Sequence, residues 1–308
     1  MKILLTGGAG FIGSHVADLY IQNGHDVIII DDLSSGKKEN INSKAKFYQL
    51  DIRDQKIGDV ISDEKPEIIN HHAAHIHVGK SVTDPQNDAD INILGFLNLM
   101  QAALKAGSVK KVIFASTGGA MYGNKKTPFV ETMVPQPLSP YGISKRAGEL
   151  YLNFYYQQYG INYIALRYSN VYGPRQNPHG EAGVVAIFAE SLLKNQNPTI
   201  NGDGKQTRDY VFVSDIAQAN LLALDSNQVG EFNAGIGIET DVNQIFQLVQ
   251  KEIGTNFSPK HDVPRPGEQQ TSNLDASLAN KKLNWQPKVQ LKDGIKQTID
   301  FFKNKSKS

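Results

Sequence analysis

Glycines at positions 7, 10 and 13, between the apolar run Ile3-Leu4-Leu5 and an amphipathic stretch beginning at Phe11, constrain this chain more than any other feature. Gly7 permits a tight turn, Gly10 lets backbone approach a pyrophosphate, and Gly13 allows a helix to pack closely on a strand. The helix N-terminus that follows supplies free N–H groups and a positive dipole end. Glycine turns also serve plain strand–helix connections, so position has to decide. The trio follows the first predicted strand, and Asp31-Asp32 closes the second, about 20 residues on. A carboxylate there accepts hydrogen bonds from an adenosine ribose and repels a 2′-phosphate. The expectation is therefore a dinucleotide site that favours NAD over NADP, with Lys37 and Lys38 close enough to complicate that preference. Asp51-Ile52, at the end of the third strand, flanks the adenine or merely caps the strand.

Short apolar runs alternate with helical patterns over the first half. Ile3–Leu5, Val27–Ile30, Phe47–Leu50, Glu67–Asn70, Val112–Ala115 and Tyr163–Leu166 read as strands; Phe11–Asn23, Ala89–Ala106 and Tyr141–Tyr159 read as helices. That alternation predicts an α/β fold, a doubly wound parallel sheet of the Rossmann kind. Beyond Tyr172 the texture changes. Loop chemistry from Gly173 to Gly180 precedes a helix near Gly183–Lys194, a strand at Asp209–Val213, a helix at Ser214–Leu224 capped by Ser214, and a helix near Val242–Glu252. Val263–Gln270, with two prolines, cannot be regular structure. The reading is an NAD-binding domain over 1–171, with segments returning near 209–235, and a smaller C-terminal substrate domain over 172–308.

A chain of 308 residues is enough for one large domain or two modest ones. Its 32 Lys+Arg against 31 Asp+Glu leave a formal charge of +1, which gives no field to gather nucleic acid or an anionic membrane. Cysteine is absent, which removes disulfides, thiolate metal sites and cysteine nucleophiles. No apolar run reaches the roughly 18 residues of a membrane span, and Met1–Leu5 lacks a signal peptide's long apolar segment. A soluble, cytoplasmic protein is expected.

Ser139-Pro140-Tyr141-Gly142-Ile143-Ser144-Lys145 is the second strong signal. Ser139 suits an N-cap and Pro140 the first helical position, so Tyr141 falls in the first turn with Lys145 one turn later on the same face. A phenol titrates near pH 10, and a tyrosine acting as base at neutral pH needs its anion stabilised. A neighbouring ammonium, a helix N-terminus and an oxidised nicotinamide all act in that direction. A surface tyrosine beside a solvated lysine would show the same spacing; the dinucleotide fingerprint upstream turns the reading. Val112–Ala115 then runs into Ser116-Thr117-Gly118-Gly119, placing hydroxyls at a strand end where ligands bind in such sheets.

Thr6-Gly7-Gly8-Ala9-Gly10-Phe11-Ile12-Gly13, Asp31-Asp32, Asp51, Ala73-Ala74, Asn92, the Tyr141/Lys145 pair, Leu166–Gly173, Gly202-Asp203-Gly204 and Arg208–Val211 together resemble the extended short-chain dehydrogenases/reductases of the nucleotide-sugar epimerase group, and within it the UDP-glucose 4-epimerases. The resemblance runs from residue 1 to about 304 and implies a reaction. Tyr141 as phenolate takes the proton from the sugar 4-hydroxyl while hydride passes from C4 to NAD. The 4-keto sugar then turns about its link to the diphosphate and takes hydride back on its other face. Lys145 would hold the nicotinamide ribose and favour the phenolate. The same resemblance implies cofactor contacts from Gly7, Gly10, Phe11, Ile12 and Gly13, from Asp31, Asp32, Asp51 and Ile52, and from Ala73, Ala74, Asn92 and Tyr168.

One departure stands out. Many members of the group place Ser or Thr where this chain has Gly118, so the hydroxyl for the 4-oxygen is expected from Thr117, with Ser116 or water as substitute; Gly118 and Gly119 would give the backbone freedom to aim it. For the substrate, Asn170, Arg208 and Arg265 are implied at the diphosphate, Glu268 at the uridine ribose, and Val184 nearby. Ser272 aligns with a Tyr that narrows the sugar pocket elsewhere in the group, so 2-acetamido sugars, UDP-GlcNAc and UDP-GalNAc, are expected beside UDP-glucose and UDP-galactose. The alternatives are a UDP-glucuronate 4-epimerase, because Gly173-Pro174-Arg175-Gln176 suits members that hold a sugar carboxylate, and a non-catalytic NAD-binding sensor. Dehydratases and decarboxylases of the group carry an acid just after the strand-end hydroxyl, which Gly118-Gly119 does not supply. His71, His72, His75 and His77 cluster, yet the group passes this loop beneath the nicotinamide without a metal, and none is expected here. Trp285 is read as packing. The helix pattern over Ala89–Ala106 is apolar on two stripes, one for the sheet and one that needs a partner; members of the group dimerise through this helix and the Tyr141 helix as a four-helix bundle, so a homodimer is expected, with an intramolecular partner as the alternative.

Overall fold

The computed structural model describes residues 1–179, 183–264 and 269–305. Its strands are β1 (Lys2–Thr6), β2 (Asp26–Asp31), β3 (Lys46–Gln49), β4 (Ile68–His71), β5 (Lys111–Thr117), β6 (Asn162–Tyr168), β7 (Asn170–Tyr172), β8 (Thr199–Asn201), β9 (Thr207–Phe212), β10 (Gly230–Ala234), β11 (Glu239–Asp241) and β12 (Lys260–Asp262). Between and after them run α1 (Phe11–Gln22), α2 (Ile57–Glu64), α3 (Val78–Thr83), α4 (Pro85–Ala89), α5 (Phe96–Ala106), α6 (Pro140–Tyr159), α7 (Val184–Leu193), α8 (Val213–Asp225), α9 (Val242–Ile253), α10 (Ser277–Leu283) and α11 (Leu291–Lys305).

Seven strands make one sheet in the order β10-β6-β5-β4-β1-β2-β3, with every neighbouring pair parallel. Period-two alternation sorts its side chains onto two faces. Ile3 and Leu5 pack with Val16 and Ala17 of α1 and Ile216 of α8, while Leu4 packs with Ile61 of α2, Leu99 of α5 and Leu152 of α6. Each such fully buried aliphatic contributes about 1.5–3 kcal/mol, and helices on both faces are what a parallel sheet requires. The chain leaves β1 toward β2 on one side and later returns to β4 on the other. The carboxyl ends of β1 and β4 therefore flank the crevice where ligands bind in such sheets.

A third apolar cluster stands apart, with Val185 and Phe188 of α7, Ile245 and Phe246 of α9, and Ile295 and Ile299 of α11 packed on Tyr172, Tyr210 and Phe212. These aromatics come from the small sheet β11-β9-β7. Residues after 172 thus build most of this unit, while β10 returns to the large sheet beside β6.

Two local readings change. The helix at 213 is not capped by Ser214: it starts one residue earlier, with Phe212 at the N-cap position and no side-chain cap. The stretch Ala89–Ala106 is not one regular helix; Asp90–Gly95 winds as a π-helix between α4 and α5. Trp285 packs as expected, buried, with its indole Nε1 donating to the Asp215 carbonyl at 2.8 Å. No helix among the described residues is long and apolar enough to cross a membrane.

Candidate active site

The glycine loop closes the end of β1 against β4. Gly7 has φ +71°, and a Cβ on it would lie 2.6 Å from the Ala73 amide nitrogen, so strand end and loop meet backbone to backbone. A Cβ on Gly13 would fall 2.2 Å from the Gly7 carbonyl oxygen. Gly10 differs: a Cβ there would meet only the Gly7 carbonyl, at 3.1 Å, and otherwise open space. Gly10 is also the N-cap of α1 and supplies no side chain, so the N–H groups of the first turn, at Phe11 and Ile12, are left to an outside acceptor. A bare backbone surface over an uncapped helix start fits the pyrophosphate of a dinucleotide.

The carboxylates expected at the ribose behave differently. Asp31 is buried, its Oδ2 accepting from the Ala9 N–H and its Oδ1 from the Leu33 N–H, both at 2.9 Å. It braces the glycine loop against the end of β2 and keeps one lone pair on each oxygen for a hydroxyl. Burial pushes its carboxyl up, and the two backbone N–H groups oppose that. Asp32 is exposed and folded back onto Ser34, whose N–H and hydroxyl reach it at 2.8 and 2.7 Å. Asp51 is gripped by Arg53, with Nε at 3.0 Å and Nη2 at 2.6 Å, and the same guanidinium reaches Asp90 at 2.5 Å. That grip holds the Asp51 carboxyl below the usual range. Ile52 is buried under Gly95.

On the far side of β1, the Ala73 N–H donates to the Thr6 hydroxyl at 3.2 Å and Ala74 follows half-buried. Asn92 does not present its amide to a ligand. It clasps the loop, its Oδ1 accepting from the His75 N–H at 2.8 Å and its Nδ2 donating to the His75 carbonyl at 2.9 Å. Burial drives His71 and His72 to the neutral form, His72 down to about 3, with the Lys145 ammonium adding to the effect. Tyr168 stacks on His72 with ring centroids 6.1 Å apart, and its hydroxyl lies 3.2 Å from His72 Nε2.

Ser139 caps α6 as expected, its hydroxyl accepting from the Gly142 N–H at 3.2 Å, with Pro140 in the first turn. Tyr141 is half-buried, and its backbone N–H donates to the Ser81 hydroxyl at 3.2 Å. Lys145 is buried, with Nζ 5.9 Å from the centre of the Tyr141 ring, 4.9 Å from that of Phe114, and 2.8 Å from the Ala115 carbonyl that it donates to. Removal from water lowers its ammonium to about 8, against the pull of Asp88 and Glu149. The ammonium persists at neutral pH, one turn from the phenol.

The strand-end hydroxyls separate. Ser116 is buried, and its hydroxyl donates to Glu149 Oε1 at 2.7 Å. That carboxylate also takes a bidentate pair from Arg167, both contacts at 2.8 Å. Ser116 therefore belongs to an interior polar cluster and is withdrawn from the substrate. Thr117 points the other way along β5. Its hydroxyl accepts from the Ala120 N–H at 3.2 Å and keeps its own proton to donate. Gly118 does not serve to aim it: a Cβ at 118 would lie 2.4 Å from Leu274 Cδ1, so Leu274 occupies the space a serine there would need.

Gly119, Asn170 and Ser272 come together. A Cβ on Gly119 would stand 3.7 Å from Asn170 Oδ1 and 4.0 Å from Ser272 Oγ. Val184 opens α7 half-buried, and Arg208 donates through Nη1 to the Thr207 carbonyl at 2.8 Å. Arg265 and Glu268 lie outside the described residues. Arg175 pairs with Asp18 of α1 at 2.7 Å and so is engaged away from the strand ends of β5 and β6.

Sequence reasoning passed over Glu149, Arg167 and Asp88. Glu149 stands four residues after Lys145, on the same helical face, and Arg167 interrupts an apolar strand. A charge inside such a run is the signal that a buried partner exists.

A sequence profile of the NAD dependent epimerase/dehydratase family matches residues 3–235. The chain belongs to that family. It is 44% identical over 313 residues to a UDP-glucose 4-epimerase of Mycolicibacterium smegmatis, covering 99% of this chain and 100% of the relative. A Thermotoga maritima UDP-glucose 4-epimerase solved with UDP-glucose superposes with a TM-score of 0.97 at 48% identity, covering 99% of this chain and 100% of that one. A Thermus thermophilus UDP-glucose 4-epimerase complexed with NAD gives 0.93 at 42%, covering 98% and 99%.

Proposed function

We propose that this protein interconverts UDP-glucose and UDP-galactose as an NAD-dependent 4-epimerase. The observation that carries the reading is the buried Lys145 ammonium one turn below Tyr141, at the same cleft as a glycine loop shaped for a dinucleotide. Full-length likeness to UDP-glucose 4-epimerases, one solved with UDP-glucose and one with NAD, supports it. When bound, NAD supplies a hydride acceptor at C4 of the sugar and then a donor.

The chain's own residues do the rest. Tyr141 Oη receives the proton of the 4-hydroxyl and later returns it. Lys145 favours the phenolate through its charge and keeps donors free beyond the one given to Ala115. Thr117 donates to the 4-oxygen, and Asn170 and Arg208 hold the diphosphate, Arg208 through its fork of donors. Asp31 receives the adenosine ribose and the first turn of α1 the pyrophosphate. Because a hydride removed is a hydride returned, the cycle is redox-neutral.

The reading extends to UDP-GlcNAc and UDP-GalNAc, since the small Ser272, beside Gly119 and Asn170, stands where members of the group with a narrower sugar pocket carry a tyrosine. The assembly we propose is a homodimer through a four-helix bundle. Leu94, Ile143, Leu150 and Phe154 lie exposed on the π-helix and α6, an apolar face with no partner of its own among the described residues. Residues 1–171 and the returning β10 would form the cofactor domain, and most of 172–308 the substrate domain. The test is direct. Purified protein is incubated separately with UDP-glucose, UDP-GlcNAc and UDP-glucuronate, and the products are resolved. C4 inversion of the first two is expected; inversion of UDP-glucuronate alone, or of none, overturns the reading.

A further inference from the structure

Asp88 is a fully buried carboxylate, on the short helix α4, that the mechanism above does not use. Its Oδ2 accepts from the Ser144 hydroxyl at 2.7 Å. Its Oδ1 accepts from Asn92 Nδ2 at 3.1 Å and faces His75 Nδ1 at 3.4 Å. No Lys or Arg pairs with it directly among the described residues. A carboxylate taken out of water without a direct cation is costly, and it persists where its donors are fixed and a charge lies within reach.

The donors identify what it serves. Ser144 sits immediately before Lys145 and three residues after Tyr141, so a bond to Ser144 fixes the turn of α6 that carries both. Asn92 holds the backbone of His75 from both sides, which ties the same carboxylate to the loop that leaves β4 through Ala73 and Ala74. On another side of α6, Glu149 is drawn into the buried Arg167 and receives Ser116. The helix is thus clamped by one carboxylate from α4 and by one of its own.

We propose that Asp88 is a positioning residue for the Tyr141–Lys145 pair: it fixes their turn of α6 through Ser144 and sets a buried negative charge against that turn. The inference rests on the epimerase reading and deepens it. The groups that face Lys145 are Asp88 from α4, Glu149 and Tyr141 from α6, His71 and His72 from the end of β4, and the Phe114 ring and Ala115 carbonyl from β5. The two histidines are held neutral by burial, and Glu149 is shared with the guanidiniums of Arg167 and Arg146. Asp88 is then the nearby negative charge with no guanidinium against it. Asp88 and Glu149 both hold up the Lys145 ammonium against burial.

The experiment compares Asp88→Asn, which keeps shape and removes charge, with Ser144→Ala, which removes the bond and keeps charge. In Asp88→Asn the alkaline limb of kcat moves to lower pH by about one unit, with KM near the wild-type value. The Nζ resonance of Lys145 in nitrogen-labelled protein, assigned by its loss in Lys145→Met, titrates at correspondingly lower pH. In Ser144→Ala the limb stays in place, and kcat falls about threefold to tenfold from misplacement alone. Asp88→Glu, with charge restored, returns the limb toward wild type. An unmoved limb and resonance in Asp88→Asn overturn the proposal. If Asp88→Asn does not fold, Ser144→Ala carries the test, and an unchanged kcat there overturns it. Wild-type protein that inverts no UDP-hexose sinks the functional reading itself, an outcome seen before any variant is made.

Discussion

Lys145 Nζ lies 5.9 Å from the centre of the Tyr141 ring and donates at 2.8 Å to the carbonyl of Ala115, so strand β5 holds the cation that serves helix α6. Burial lowers that ammonium to about 8. Turnover needs it charged, so the sign on the alkaline side is fixed: activity declines as the pH rises through that value. Tyr141→Phe, which removes the proton-carrying hydroxyl, should lower kcat by about 10²–10⁴. Its melting temperature should stay near wild type. A pH–rate profile and one thermal melt check both; full activity in Tyr141→Phe would reject Tyr141 as the proton carrier.

The opposite fates of two adjacent hydroxyls make a second prediction. Thr117 keeps a proton to donate, whereas Ser116 spends its own on Glu149. Thr117→Val should lower kcat by about 10² through loss of a donor to the 4-oxygen, with the fold intact. Ser116→Ala should cost stability, about 1–3 kcal/mol for a buried acceptor left short of a partner, and move kcat little. Steady-state kinetics beside urea unfolding separate the two. Wild-type turnover in Thr117→Val would reject its role.

Much of this was legible locally. Strand and helix positions follow from period-two and 3.6-residue patterning, and the α6 start follows from Ser139-Pro140, because those signals lie within a few residues of what they determine. What escaped depends on contacts distant in the chain. Leu274, 156 residues further along the chain, fills the space beside Gly118, so the missing hydroxyl read as freedom when it is packing. Ser116 looked like a ligand contact until Glu149 and Arg167 closed over it. Asn92 carries the family's pattern, yet its amide is spent on the His75 backbone, a pairing that no spacing rule reveals. The Ser214 cap failed because Val213 already continues from β9 into the helix.

The buried Glu149–Arg167 pair sets a stability test. Arg167 donates twice to Glu149 and once to the Tyr122 hydroxyl at 2.8 Å, joining α6 to β6 and to the segment after β5. Arg167→Met leaves Glu149 buried with only Ser116 and the partly exposed Arg146, and should destabilise by about 3–5 kcal/mol. Removing both charges, in the double variant with Glu149→Leu, should cost less than the sum of the single losses. Chemical denaturation of the four proteins gives the coupling directly, and simple additivity would contradict the pairing.

Two glycines of the cofactor loop should fail in different ways. At Gly13 a methyl group collides with the Gly7 carbonyl in the protein alone, so Gly13→Ala should lower the melting temperature whether or not NAD is present. At Gly10 the methyl meets only one carbonyl at 3.1 Å, so Gly10→Ala should fold nearly as well as wild type. It should bind NAD about tenfold more weakly, a difference near 1.4 kcal/mol. Calorimetric titration and thermal melts resolve the pair. Equal affinity in Gly10→Ala would mean that the pyrophosphate does not rest on this backbone.

Ser272 offers the sharpest probe of the sugar. It is buried beside Gly119 and Asn170, and a tyrosine there would project into the volume proposed for a 2-acetamido group. Ser272→Tyr should retain inversion of UDP-glucose, because a hexose with only a hydroxyl at C2 does not use that volume. Its kcat/KM for UDP-GlcNAc should fall by about 10²-fold, the scale on which a filled pocket rejects a larger substrate. Competition between the two sugars in one reaction measures the ratio without separate constants. If both substrates decline together, the tyrosine has displaced Asn170 or the Gly119 backbone, and the specificity lies elsewhere in the cleft.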